Sequence, residues 1–224
     1  MIAVQCWDDG VVDDVRLIEI LRKHKAKGSF NLNVGSFQEK RHNTGFRHLD
    51  KEVWRVGRNE LTDVYAGFLA ANHTVSHPVL TDIPIEQAAK EVREGRDGLE
   101  QIFGYSVEGF AYPCGAHSPA VHEVVRQAGH LYARTCENAD NIFPVADAMN
   151  MPTNCHFMAK DFWARFEKVK AVDGVFYFWG HSYEIMDEAG WEDFDRKIER
   201  ISREAKWSDL PELFKNGGPG TKKG

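Results

Sequence analysis

Apolar positions along this chain come in short runs that alternate with longer stretches of helical period. Residues 2–6 are an apolar run that ends at Asp8-Asp9-Gly10. Val15, Leu17, Ile18 and Leu21 then recur at helical spacing, with Asp13 placed to cap that helix and Gly28 to break it. Further strands are predicted over 29–34, 68–71, 108–112, 131–135 and 174–179. Helices are predicted over 61–65, 84–103, 119–127, 162–172 and 191–205. Pro119 suits the first turn of its helix, and Gly129 suits the stop that follows. Residues 35–58 and 136–158 show no period and read as irregular. The first of these is long and charged, as expected of a functional loop rather than filler.

Alternating strands and helices imply parallel strands joined by crossover helices. The predicted fold is α/β, with these strands in a closed or nearly closed barrel. Active sites of such barrels gather at the C-terminal ends of the strands. A single catalytic domain is expected over 1–215, with no internal repeat and a disordered Gly/Lys-rich tail over 216–224.

Composition changes this picture little. A chain of 224 residues with 42% hydrophobic and 28% charged residues builds one sizeable core. Its net charge of -6 gives no general attraction for phosphate backbones or anionic lipid, so neither nucleic acid nor membrane is an expected partner. No apolar run reaches bilayer length. The start, MIAVQCWDDG, lacks the basic and apolar regions of a signal peptide. This predicts a cytoplasmic protein if Met1 is the native start, and an extracytoplasmic one if a leader has been removed. Cys6, Cys114, Cys136 and Cys155 form no CxxC pair, which argues against a zinc ribbon or a thioredoxin-like motif. The oligomeric state is left open.

Three polar clusters each follow a predicted strand: Asp8-Asp9-Gly10, His73-Thr74-Val75-Ser76-His77-Pro78 and His181-Ser182. In one barrel they converge at one rim. His73 and His77 are four apart and are expected to share a face of a helical turn. With Asp9 they supply two imidazole nitrogens and a carboxylate, a set that leaves coordination positions open, as a catalytic metal requires. Each cluster alone has a bland reading. HxxxH arises by chance in helices, Asp-Asp-Gly is usually a turn, and a lone histidine after a strand is usually just a satisfied polar residue. Their conjunction at three strand ends is what carries the inference. The same ligand set occurs in non-haem iron oxygenases, but those sit on antiparallel jelly rolls rather than β/α chains.

At these residues the chain resembles the polysaccharide deacetylases that share the NodB homology domain, carbohydrate esterase family 4. Cys6-Trp7-Asp8-Asp9-Gly10 resembles the family's T-F-D-D-G. Lys27-Gly28-Ser29-Phe30-Asn31 resembles K-A-T-F-F. Asn72-His73-Thr74-Val75-Ser76-His77-Pro78 matches N-H-[ST]-x-x-H-P throughout. Ala111-Tyr112-Pro113-Cys114-Gly115 aligns with R-x-P-[YF]-G, and Phe178-Trp179-Gly180-His181 with L-x-x-H. The resemblance covers roughly residues 2–185.

The resemblance implies a NodB-like fold, a distorted (β/α) barrel of about seven parallel strands, and a metal-dependent hydrolase that removes N- or O-acetyl groups from a saccharide. Asp9, His73 and His77 would hold one divalent metal ion. Zinc is the default for such a set, and cobalt, nickel or manganese also fit. Asp8 would be the general base and His181 the general acid. The backbone N–H at Cys114 would help bind the oxyanion. The family's arginine is missing at Ala111, and Arg134 on the next predicted strand is a candidate replacement as partner of Asp8. The family's fourth motif is not visible, which leaves Glu184 and Asp140 as candidate partners of His181. Tyr112, Trp179 and Tyr183 are candidate substrate contacts, with Trp7 lining an acetyl pocket, Trp54 near the rim, and Phe176 and Phe178 in the core. Two alternatives stand beside the acetylated saccharide: a small non-sugar amide or formamide on the same fold, and a non-catalytic metal- or glycan-binding homologue.

Overall fold

A computed structural model describes residues 1–215, and the predicted disordered tail lies outside them. In chain order the strands and helices are β1 (Ile2–Asp8), α1 (Asp13–Lys23), β2 (Ser29–Leu32), β3 (His42–His48), β4 (Lys51–Arg55), α2 (Leu61–Val64), β5 (Leu69–Asn72), α3 (Ile85–Phe103) and β6 (Gly109–Ala111). They continue with α4 (Pro119–Gln127), β7 (Tyr132–Asn138), β8 (Met151–Thr153), β9 (Cys155–His156), α5 (Phe162–Ala171), β10 (Val175–Gly180), α6 (Glu188–Glu204), β11 (Lys206–Trp207) and α7 (Leu210–Lys215).

The main sheet is parallel throughout and runs β8-β7-β6-β5-β2-β1-β10-β9, with β11 added beside β1. Its two edge strands, β8 and β9, are separated in sequence by Asn154 alone. Asn154 bridges them to β10: its N–H donates to the Tyr177 carbonyl at 2.7 Å, and its side-chain oxygen accepts from Tyr177 N–H at 2.7 Å. One short segment therefore serves both edges and brings the sheet round into a nearly closed barrel. Counting β8 and β9 as one stave gives seven staves, as the family resemblance implies. Among the described residues no helix is long and apolar enough to cross a membrane.

Alternation along each strand separates two cores. Val4, Cys6, Tyr132, Met151, Val175 and Tyr177 fill the barrel interior, and Leu210 and Leu213 of α7 pack into the same cluster. Ala3, Trp7, Phe30, Phe176 and Phe178 face outward, against α1, α5 and α6. This parity corrects one expectation. Trp7 is fully buried, edge-on to Phe157 and Phe194, so it packs in the outer core and does not line an acetyl pocket.

Three local expectations also change. Residues 35–58 are not irregular: β3 and β4 form an antiparallel hairpin, whose strands are largely solvent-facing and so carry no apolar alternation. Residues 136–158 contain the end of β7 with β8 and β9, strands too short to show a period. Asp13 is helical rather than a cap, and it is Asp14 that reaches back to accept from Val11 N–H at 3.1 Å.

Candidate active site

Asp8 closes β1 with the interior parity of Val4 and Cys6, so its side chain points into the top of the barrel. It is 3% exposed. Arg134 on β7 shares the parity of Tyr132 and meets it there. Nη2 of Arg134 donates to both carboxylate oxygens, at 2.6 and 2.5 Å. Asn31, the register partner of Asp8 on β2, donates to the same carboxylate at 2.6 Å. Burial opposes the charge on Asp8. Arg134, then His73 and His181, and the Asn31 hydrogen bond more than offset that cost and hold the carboxyl well below the usual carboxylate range. Arg134 is 1% exposed, and its guanidinium also lies over the Trp179 ring at 4.8 Å.

Just after Asp8 the chain turns sharply. Asp9 and Gly10 both take left-handed conformations, at φ 83° and 68°. A Cβ at Gly10 would also sit 2.6 Å from the Phe37 ring, so glycine is required there. The turn lets successive carboxylates serve one site: Asp8 stays in the barrel, while Asp9 faces the histidines.

His73 and His77 do not share a helical turn. They lie on a loop in which Thr74 and His77 adopt φ 70° and 63°. Side chains hold this strained path in place. Asn72 Oδ1 accepts from Thr74 N–H at 2.9 Å, and Thr74 Oγ1 accepts from His77 N–H at 3.0 Å. Glu91 on α3 accepts from Val75 N–H, Ser76 N–H and the Ser76 hydroxyl. The result is nonetheless a converging donor set, because one atom each from Asp9, His73 and His77 lies within 4.8 Å of the others. His73 Nδ1 donates to the Ala111 carbonyl at 2.8 Å, which leaves Nε2 free as a ligand. Burial lowers the His73 pKa to about 4, so the ring is neutral, as ligation requires. The residues present fit a divalent metal ion.

His181 follows β10 and stands across from Asp8. Its Nε2 is 3.8 Å from Asp8 Oδ2 and 3.9 Å from Asp9 Oδ2. Its Nδ1 is 3.4 Å from Glu184 Oε2. Burial works against the imidazolium, but the carboxylates of Glu184, Asp8 and Asp9 raise the His181 pKa. Glu184 accepts from His181 N–H at 3.0 Å and from His156 at 2.9 Å. His156, His181 and Glu184 could also be read as a second metal-binding group. However, His156 Nδ1 accepts from Met158 N–H, so its Nε2 carries a proton and donates to Glu184. Asp140, the other candidate partner, lies near Arg165 instead.

These groups open into a cavity of about 720 Å³ that Tyr112, Cys114, Trp179 and Tyr183 also line. Tyr112 is itself buried, its hydroxyl donating to the Met149 carbonyl. Cys114 is exposed in a left-handed conformation, and its N–H has no acceptor among the described residues. Tyr183 stacks on the His181 ring, with centroids 4.9 Å apart. Trp54 is on the hairpin but not on the cavity wall, while Phe176 and Phe178 are buried as expected.

The sequence reading missed Asn31, His156, Glu91 and Arg55. Asn31 was accessible through the parallel register of the first two strands. His156 and Arg55 come from segments with no period, and Glu91 is one of several charged positions on α3.

The parallel barrel thus brings Asp-Asp-Gly, His-x-x-x-His and a lone histidine together at three strand ends. The polysaccharide deacetylase family model matches residues 2–133, and the chain belongs to that family. No curated protein matches it by sequence. Among solved structures it is similar to a family 4 acetyl xylan esterase from Clostridium thermocellum in complex with cobalt. That match has 20% identity, covers 98% of this chain and 93% of that one, and has a TM-score of 0.62. The peptidoglycan deacetylase PdaC from Bacillus subtilis matches at 15% identity over 96% of this chain and 90% of that one, with a TM-score of 0.58. The deacetylase PplD from Streptococcus pyogenes, in complex with acetate, matches at 17% identity and a TM-score of 0.54, over 66% of this chain but 61% of that one. At these identities the likeness shows the shared fold.

Proposed function

We propose that this chain is a metal-dependent hydrolase that removes an acetyl group from an N- or O-acetylated saccharide. The observation that carries the proposal is the setting of Asp8. Its carboxylate is fixed by Arg134 and Asn31, beside the Asp9–His73–His77 donors and 3.8 Å from His181. Membership in the polysaccharide deacetylase family supports the reaction class, and the cobalt complex of the acetyl xylan esterase supports a divalent ion.

Asp9, His73 and His77 would hold the ion, which supplies Lewis acidity to the acyl oxygen and makes water more acidic. Asp8, kept ionised by Arg134, accepts the proton of the attacking water. The Cys114 N–H donates to the oxyanion as it forms. His181, whose protonated form the surrounding carboxylates favour, gives its Nε2 proton to the leaving nitrogen or oxygen. Asp8 and His181 thus act as separate base and acid on one tetrahedral centre.

A second reading keeps this chemistry and changes the substrate to a small non-sugar amide or formamide. The apolar wall formed by Val11, Phe46 and Val53 favours it. The test is acetate or formate release by metal-loaded protein from acetylated chito-oligosaccharides, acetylated xylan and small amides. Release is expected to stop on chelation and to return with zinc or cobalt. Turnover of the small amides alone selects the second reading. No turnover of any substrate contradicts both.

A further inference from the structure

Arg55 ends β4 and lines the cavity beside Asp9. Nη1 is occupied: it donates to the Asp9 carbonyl and lies 3.4 Å from Asn33 Oδ1. Nε and Nη2 have no hydrogen-bond partner among the described residues, yet they are not sealed from solvent, and Arg55 forms no salt bridge there. Arg134, the other arginine near the site, is spent on Asp8. The hairpin fixes this side chain in place. Val12 N–H donates to the Trp54 carbonyl at 2.8 Å, Val11 bridges to Arg55, and Lys51 reaches Asp13 at 2.5 Å and the Ile185 carbonyl at 3.1 Å. Arg55 is therefore held in the cavity wall beside Asp9, with its Nε–Nη2 edge unpaired among the described residues.

We propose that the Nε–Nη2 edge of Arg55 is a substrate subsite for a carboxylate, so that the enzyme prefers acylated compounds carrying an acid group close to the acyl nitrogen. The planar edge offers two parallel N–H donors, a geometry that matches a carboxylate. This inference rests on the hydrolase reading for its kinetic test but not for its binding test.

The kinetic test compares matched pairs: N-acetylglucosaminuronic acid with N-acetylglucosamine, and an N-acetyl amino acid with its primary amide. The acid member of the preferred pair is expected to have a kcat/KM higher by about tenfold or more. The acid-to-neutral ratio should fall towards unity in Arg55→Gln and take an intermediate value in Arg55→Lys, which keeps the charge without the fork. Because both members of a pair use the same centre, the ratio is insensitive to damage at Asp9. Equal turnover of acid and neutral compounds by the wild type, or a ratio that survives Arg55→Gln, overturns the inference while leaving the hydrolase reading intact. If neither member is hydrolysed, the hydrolase reading fails and binding decides. The Arg55 Nε–H NMR signal of the wild type is then expected to move with the acids and not with the neutral compounds; no response to the acids overturns the subsite.

Discussion

At the position where related motifs carry an arginine, this chain has Ala111, and its neighbour in the ladder is Arg134. Arg134 thus stands one strand to the side of Ala111, at the same height of the barrel. It reaches Asp8 across the interior, where both partners are almost wholly buried. Breaking a buried pair of this kind typically costs about 3–5 kcal/mol, because one charge is left without a partner. Arg134→Ala is therefore expected to lower stability by that amount, as measured by denaturant unfolding. The pH dependence follows from the sign of the Asp8 shift. Its folded pKa is depressed, so the pair's contribution is present above the ordinary carboxylate pKa and is lost as pH falls through the folded value. Without Arg134, burial is left to push the Asp8 pKa up, and the acid limb of the kcat/KM profile should move to higher pH. Unchanged turnover with an unchanged acid limb would show that Arg134 does not serve Asp8.

At the scale of elements, the site depends on backbone paths that no apolar period announces. The spacing of His73 and His77 suggested a helical turn, but the real path is a strained loop pinned by Asn72, Thr74 and Glu91. Helix α3 presses on it through Gly95, where an added Cβ would overlap Asn72 Oδ1 and come within 3.0 Å of the Thr74 carbonyl carbon. In an isolated helix Gly→Ala stabilises by roughly 1 kcal/mol. Here overpacking should outweigh that gain, with a net loss on the order of 1–2 kcal/mol. Gly95→Ala should also weaken metal binding, measured by competition with a chelator. A variant as stable as the wild type, with the same affinity, would mean that α3 does not shape the loop. The β3–β4 hairpin was unreadable for a related reason: most of its side chains face solvent, so its position over the cavity left no pattern in the sequence.

At the scale of the molecule, the barrel was legible because buried parallel strands must be short apolar runs and crossover helices must be amphipathic. The convergence of Asp8, Asp9, His73, His77 and His181 was legible because each follows such a run. What alternation alone could not give was the closure of the sheet through Asn154, since β8 and β9 are too short to carry a period. The role of His156 beside Glu184 depends on that closure. Trp7 was misplaced because its motif position drew attention away from its parity: with Asp8 inside, Trp7 must face out.

In the proposed mechanism Asp8 does chemistry beside a metal that Asp9, His73 and His77 would hold without it. The most direct measurement is acetate release by Asp8→Asn and wild-type protein from the best substrate of the panel, with metal content determined on the same samples. The expected result is turnover lowered by about 10²–10⁴-fold with metal content unchanged, the range for removing a general base. Turnover that survives the substitution, or loss of activity explained by loss of metal, would contradict it.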